Sequence, residues 1–170
     1  MKRMDNDDMN DAVEGADYSV AMELADWLII DAVMDDELQV IAAEGWDYDD
    51  WGEPTRDPHW AELSELGHSV RKAGWDQISD WPHEVESVRR WAAEHAGRTE
   101  AMNLTGRQWG LVVFALESRA ALEIPDGVRA EYIELLKATS AGRRRVAALV
   151  RRSLAENGLE QVPVVRTTAN

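Results

Sequence analysis

The chain has 170 residues, no cysteine, and 33 acidic against 18 basic residues, which gives a net charge of −15. The absence of cysteine excludes disulfides, thiolate zinc sites and a cysteine nucleophile. No apolar run reaches the roughly 18 residues of a membrane span, and Met1 to Asn10 lacks the apolar region of a signal peptide. The composition therefore predicts a soluble cytoplasmic protein with a real hydrophobic core and no membrane contact.

The charge is unevenly distributed along the chain. Residues 1–66 contain 20 acidic and three basic residues, a net charge of −17, whereas the remaining residues have a net charge of +2. Such asymmetry says nothing about the fold, but it indicates a strong negative field over one part of the molecule. The field favours basic partners.

In chain order, the first predicted element is an acidic flexible tail at residues 1–16. Tyr18 to Ala43 follows as a helix that is apolar around almost its whole circumference, which is typical of a helix at the centre of a bundle. Trp27 lies in the middle of this helix, and we expect it to be fully buried. The pattern as a whole predicts an all-α fold, a compact bundle of about six helices.

The later segments carry clear helix boundaries. Asp57 and Pro58 are typical of an N-cap and a first helical residue, and Thr105 with Gln108 forms a capping box before a second core helix that ends near Leu122. Arg98 to Leu104 is the predicted boundary between two lobes, and no internal repeat is evident. The predicted organisation is an acidic helical lobe at 17–97, a C-terminal helical lobe at 98–158 and a tail at 159–170.

An acidic and aromatic segment follows the predicted central helix. One interpretation is a solvated loop whose aromatic rings pin it to the helices; the other is a contact surface, because aromatic anchors ringed by charge are typical of binding hot spots. The segment does not match a calcium-binding loop, because Trp51 and Pro58 occupy two positions that need oxygen ligands. The candidate partner-binding residues are Trp46, Asp47, Asp49, Asp50, Trp51 and Glu53, with Asp35 and Asp36 on the helix before them.

Two pairs of carboxylates stand three residues apart on predicted helices, where they share a helix face: Glu23 with Asp26, and Glu62 with Glu65. Facing pairs of this kind can hold Mg²⁺ inside a bundle. The pattern resembles the helical nucleoside-triphosphate pyrophosphatases, whose E-x-x-E and E-x-x-D motifs face each other, although the order of the motifs is reversed here. The resemblance implies a magnesium-dependent nucleotide hydrolase as an alternative function.

Arginines cluster on the last predicted helix, at Arg143 to Arg145 and at Arg151 and Arg152. Nucleic-acid binding is one interpretation, but the negative field would repel phosphate. We expect these arginines to pair with carboxylates of the acidic half, within the chain or across a homodimer.

The leading functional prediction is a non-enzymatic interaction protein without a cofactor. It would bind a basic protein partner, in its specific form as a nucleic-acid mimic that inhibits a nucleic-acid-binding complex, and would not bind nucleic acid itself. The alternatives are the magnesium-dependent hydrolase and a structural subunit of a larger assembly, for example a viral one.

Overall fold

The structure is a computed structural model that describes residues 6–82, 84–122, 126–165 and 167. Within these residues, helices dominate and two small antiparallel sheets accompany them, so the all-α prediction is wrong and the fold is mixed. The helices are α1 (Asn6–Gly15), α2 (Leu24–Ala43), α3 (Pro58–Gln77), α4 (Val85–Glu94), α5 (Gly106–Ala120) and α6 (Ala130–Glu156). The strands are β1 (Asp17–Glu23), β2 (Trp46–Tyr48), β3 (Pro54–Arg56) and β4 (Thr99–Thr105).

Strands β1 and β4 form a two-stranded antiparallel ribbon in which Val20 lies opposite Met102. Val20, Met22 and Leu24 are buried at every second position, which is the period of a strand. Val20 and Leu24 also fit the run of apolar residues that covers almost the whole circumference of a helix, and for this reason the sequence predicted a helix from Tyr18 onward. That prediction is wrong for β1, because the helix begins only at Leu24.

The predicted boundary between two lobes, Arg98 to Leu104, coincides with β4. Its residues pair with β1 along seven positions, and the hydrophobic core contains residues from both predicted lobes. Met102 and Leu104 point into this core and are buried. The segment therefore joins the two halves of the chain through one ribbon and one core.

The acidic segment predicted as a flexible tail contains a helix from Asn6 to Gly15. Val13 packs against the hydrophobic core, and the backbone N–H of Gly106 donates to the carbonyl of Ala16 over 3.0 Å. This apolar contact and this backbone bond help to attach α1 to the start of α5. Residues 1–5 of the predicted tail lie outside the described residues.

The two halves of the fold repeat one another, although no repeat was evident from the sequence. Each half is a strand followed directly by a helix and then by a second helix packed on the first: β1–α2–α3 and β4–α5–α6. The burial patterns of β1 and β4 differ only at the last position. Val20 and Met102, which pair in the ribbon, are 82 residues apart, as are the fully buried Trp27 and Trp109.

The second helix of each half packs against the strand of the other half. Helix α3 contacts β4, and α6 contacts β1. At the end of α3, the Gln77 side chain donates to the carbonyl of Asn103 and accepts from its N–H, both over 2.8 Å. At the end of α6, the Asn157 amide donates to the carbonyl of Ser19 over 3.0 Å. These amides cover ribbon groups that would otherwise be unpaired.

The prediction that Trp27 is fully buried is confirmed, since its ring is 0% exposed. Helix α2 contacts α3, α5 and α6, which explains why it is apolar on nearly all sides. Among the described residues, no helix has the length and apolarity needed to cross a membrane.

The predicted C-terminal tail begins with a segment that is neither helix nor strand and packs on the core. Leu159 and Val165 are buried. The carbonyl of Pro163 lies against Gly110 of α5, where there is no side chain to keep it away. The Thr167 hydroxyl donates to the buried carboxylate of Glu37 on α2.

Candidate functional site

The acidic and aromatic segment forms a β-hairpin between α2 and α3, with Trp46 opposite Arg56 and Tyr48 opposite Pro54. A four-residue turn closes it: the N–H of Gly52 donates to the carbonyl of Asp49 over 3.0 Å, and Gly52 has the positive φ (78°) that favours glycine. The hairpin, residues 46–56, is therefore a defined structure and not an irregular loop.

Trp46 and Arg56 fasten the hairpin to the end of α2. The Trp46 indole donates to the carbonyl of Ala42 over 2.8 Å, and the Arg56 guanidinium donates to the carbonyl of Ile41 over 2.6 Å. The same guanidinium lies 5.1 Å from the centre of the Trp46 ring. A cation at the C-terminus of a helix is favourable because the last carbonyls are unpaired and partly negative. The pinning interpretation therefore holds for Trp46.

The other two aromatic rings of the hairpin extend into solvent. Trp51 at the turn is 90% exposed and Tyr48 is 73% exposed, and no residue of the hairpin belongs to the hydrophobic core. Large aromatic side chains clustered on the surface are typical of interaction sites. Sequence reasoning missed Tyr48 as a site residue. The signal was present, because Tyr48 is two residues from Trp46 and thus on the same face of a strand.

The four predicted carboxylates of the hairpin are all exposed, but they have different roles. One oxygen of Asp49 accepts from the N–H groups of Trp51 and Glu53, each over 2.9 Å, and so holds the turn. Asp47 accepts from the N–H of Tyr48 over 2.8 Å. Within the described part of the chain, the carboxylates of Asp50 and Glu53 have no hydrogen-bond partner. These two are available to an outside ligand.

The two predicted helix carboxylates also differ. Asp35 pairs with Arg71 of α3 over 2.5 Å, and Asp31 pairs with the same arginine over 3.0 Å. Burial alone would lower the pKa of Arg71, but the hydrogen bonds and charges of these two carboxylates raise it above its usual value. Asp36 is exposed and lines a shallow groove that continues to Glu44, two residues before the hairpin.

The structure pairs two of the candidate metal ligands with arginines. Asp26 is only 5% exposed, and Arg145 of α6 donates to it over 2.6 Å. This hydrogen bond raises the pKa of Arg145 above its usual value. Glu62 accepts from Arg107 of α5 over 2.5 Å. Among the described residues, no group of three or more His, Cys, Asp or Glu is arranged to hold a metal ion.

Four of the five arginines in the α6 cluster have partners within the chain, and Arg152 is exposed without one among the described residues. Arg145 pairs with the acidic half through Asp26, as predicted. Arg143 and Arg144 instead donate to the carbonyls of Arg119 and Ala120 at the C-terminal end of α5, over 3.4 and 3.0 Å. These bonds satisfy carbonyls that a helix leaves unpaired. Arg151 pairs with Glu117 over 2.6 Å, which is a contact within the C-terminal half.

The outer face of the β1–β4 ribbon is a second exposed surface. A two-stranded ribbon has the dimensions to enter the major groove of DNA. However, β1 and β4 contain no lysine or arginine, and Asp17 and Glu23 are exposed at the two ends of β1. Phosphate contacts provide most of the affinity for nucleic acid, and neither strand of this face offers a basic side chain for them.

Comparisons of the chain with family models, with curated proteins and with solved structures give no match. Its function therefore has to be inferred from the geometry of the hairpin and from the charge around it.

Proposed function

We propose that this chain is a non-enzymatic binding protein whose hairpin docks on a basic surface of a protein partner. The observation that carries the proposal is Trp51, which is 90% exposed at the tip of a hairpin that hydrogen bonds hold in shape. A ring in this position contributes nothing to the core, but a partner that covers it removes a large apolar surface from water. A preformed hairpin also loses little conformational entropy on binding.

The charge around the ring indicates the chemistry of the partner. Asp50 and Glu53 flank Trp51, and the first 66 residues together have a net charge of −17. Charge of one sign speeds the encounter with a surface of the opposite sign and selects against acidic partners. Nucleic-acid-binding grooves are strongly basic protein surfaces. Occupation of such a groove, as a mimic of nucleic acid, is the specific form of the proposal.

The hydrolase alternative has less support. Two of its four carboxylates, Asp26 and Glu62, are engaged by arginines. Binding of Mg²⁺ there would require breaking an ion pair in which Asp26 is buried.

Affinity capture from the native host, with three forms of the protein as bait, tests the proposal. The first is the wild type, and the second combines Trp51→Ala, Asp50→Asn and Glu53→Gln. The third is a matched control that removes the same charge and one exposed apolar side chain elsewhere: Glu94→Gln, Glu156→Gln and Leu122→Ala.

The wild type and the control should both recover one basic protein, and the hairpin variant should lose it. Recovery of the same proteins by the hairpin variant, or a recovered partner with an acidic contact surface, would overturn the proposal.

A further inference from the structure

Two other exposed tryptophans are already covered by arginines of the chain itself. Arg56 lies 5.1 Å from the ring centre of Trp46, and Arg71 lies 5.1 Å from that of Trp75. A guanidinium over an indole is attracted by the negative face of the ring. Within the described residues, Trp51 is the most exposed tryptophan and has no cation over its ring.

The surroundings of Trp51 suit a cation from outside. The N–H of Trp51 is bonded to Asp49, which fixes the backbone from which the indole projects. Asp50 and Glu53, one residue before the tryptophan and two after it, are exposed, and the described residues provide no partner for their carboxylates. The turn therefore presents one aromatic face and two free carboxylates within four residues.

We propose that this turn binds an arginine side chain of the partner, with the guanidinium stacked on Trp51 and its N–H groups donating to Asp50 and Glu53. The inference rests on the proposed function and names the chemical group that the hairpin recognises. Arginine is favoured over lysine because its planar, weakly hydrated guanidinium can stack on a ring and donate to carboxylates at the same time. Both cations that cover the chain's own exposed rings are arginines.

Nuclear magnetic resonance of the full chain, uniformly labelled with ¹⁵N so that both the tryptophan indoles and the backbone amides are observed, tests this inference without the partner. The probe is the blocked peptide acetyl-Gly-Arg-Gly-amide, and the controls are the same peptide with lysine or with citrulline, which has the shape of arginine but no charge. Trp51→Phe identifies the Trp51 indole signal, and the Trp75 indole is the internal control because Arg71 already covers it.

The arginine peptide should shift the Trp51 indole signal and leave that of Trp75 in place. The citrulline peptide should have no effect, and the lysine peptide should bind more weakly. Trp51→Leu, read from the Gly52 amide signal, should weaken binding of the arginine peptide about two- to fivefold, which is the factor expected for an exposed cation–π contact. Adding Asp50→Asn and Glu53→Gln should weaken binding of the arginine peptide further.

Equal shifts with arginine and citrulline, or shifts of the Trp75 signal alone, would overturn the inference. If the arginine peptide does not shift the Trp51 signal, the inference is wrong. If the hairpin variant nevertheless loses its partner in the capture experiment, the hairpin binds the partner by other contacts and the proposed function stands. If the peptide does not shift the Trp51 signal and the hairpin variant also keeps its partner, the proposed function is wrong as well.

Discussion

The indole ring of Trp27 lies directly against the backbone of Gly74, so that α2 and α3 meet there with no side chain between them. A Cβ atom on residue 74 would come within 2.5 Å of Cε2 of the ring, well inside van der Waals contact. The ring is enclosed on its other sides by the core and has no room to move away.

Gly74→Ala should therefore destabilise the protein, although alanine is the better helix former by about 1 kcal/mol. Overpacking of a core costs about 1–3 kcal/mol, which exceeds the gain in helix propensity. Urea denaturation measures the difference in the free energy of unfolding. Gly142→Ala on α6 is the matched control, because its nearest neighbour is Ile29 Cδ1 at 3.8 Å, and it should be neutral or stabilising. Equal effects of the two substitutions would show that the close approach does not matter.

The two equivalent tryptophans differ in their hydrogen bonds, and this difference predicts different costs for Trp→Phe. The Trp109 indole donates to the carbonyl of Tyr18 over 2.9 Å, whereas the buried Trp27 indole N–H has no partner among the described residues. Trp109→Phe should cost about 1 kcal/mol more than Trp27→Phe, because only the former loses a hydrogen bond.

Truncation of either ring to alanine should cost about 3–5 kcal/mol, near the whole stability of a marginal domain. Thermal and urea denaturation of the four variants provide the measurement. If Trp27→Ala left the melting temperature unchanged, α2 would not be the central helix.

Part of this fold could be predicted from the sequence, and that part depends on local chemistry. The N-cap at Asp57, the proline that follows it and the capping box of Thr105 with Gln108 are all confirmed. Each needs only a short run of neighbouring residues. Strand β1 could not be separated from the helix after it, because Val20, Leu24 and Trp27 fit a helical face while Val20, Met22 and Leu24 fit a strand. The pairing of β1 with β4, 82 residues away, decides between the two.

The candidate site shows the same limit. The sequence identified the acidic and aromatic segment, but it could not tell which carboxylates hold the turn and which are free. That division depends on the register of the hairpin, which directs the N–H groups of Trp51 and Glu53 toward Asp49. The burial of Glu37 was equally hidden, since its partners, Arg119 and Thr167, are 82 and 130 residues away in the chain.

The contact between Thr167 and Glu37 predicts that the C-terminal segment contributes to stability. Glu37 is only 4% exposed, and Arg119 reaches its other oxygen over 3.4 Å. Thr167→Val keeps the shape of the side chain but removes the donor, so a buried carboxylate loses one of its partners. The expected cost is about 1–3 kcal/mol in the free energy of unfolding. Thr99→Val at an exposed position of β4 is the control, and a loss of equal size there would contradict the argument.

The exposed tip of the hairpin, by contrast, should contribute little to the stability of the fold. Trp51→Ala and the double substitution Asp50→Asn with Glu53→Gln remove only exposed groups, so each should change the free energy of unfolding by no more than about 0.5 kcal/mol.

Asp49→Asn is the informative contrast, because the carboxylate that accepts from two N–H groups becomes a weaker, uncharged acceptor. Hydrogen exchange of the Glu53 amide should be faster in Asp49→Asn and unchanged in Asp50→Asn. Unfolding of either functional variant would mean that the hairpin is structural.

The charge and the ring of the hairpin should control different rate constants of partner binding. The net charge of −17 over residues 1–66 acts at a distance, so salt should slow association: the Debye length falls from about 10 Å at 0.1 M to about 3 Å at 1 M. Asp50→Asn with Glu53→Gln should slow association and flatten its dependence on salt. Trp51→Ala should leave the association rate nearly unchanged and speed dissociation, because the ring is in contact only in the formed complex.

Surface plasmon resonance at several salt concentrations, with the captured partner immobilised, separates the two effects. An association rate that is flat from low to high salt, or that survives the double neutralisation, would show that the negative charge of this surface does not guide binding.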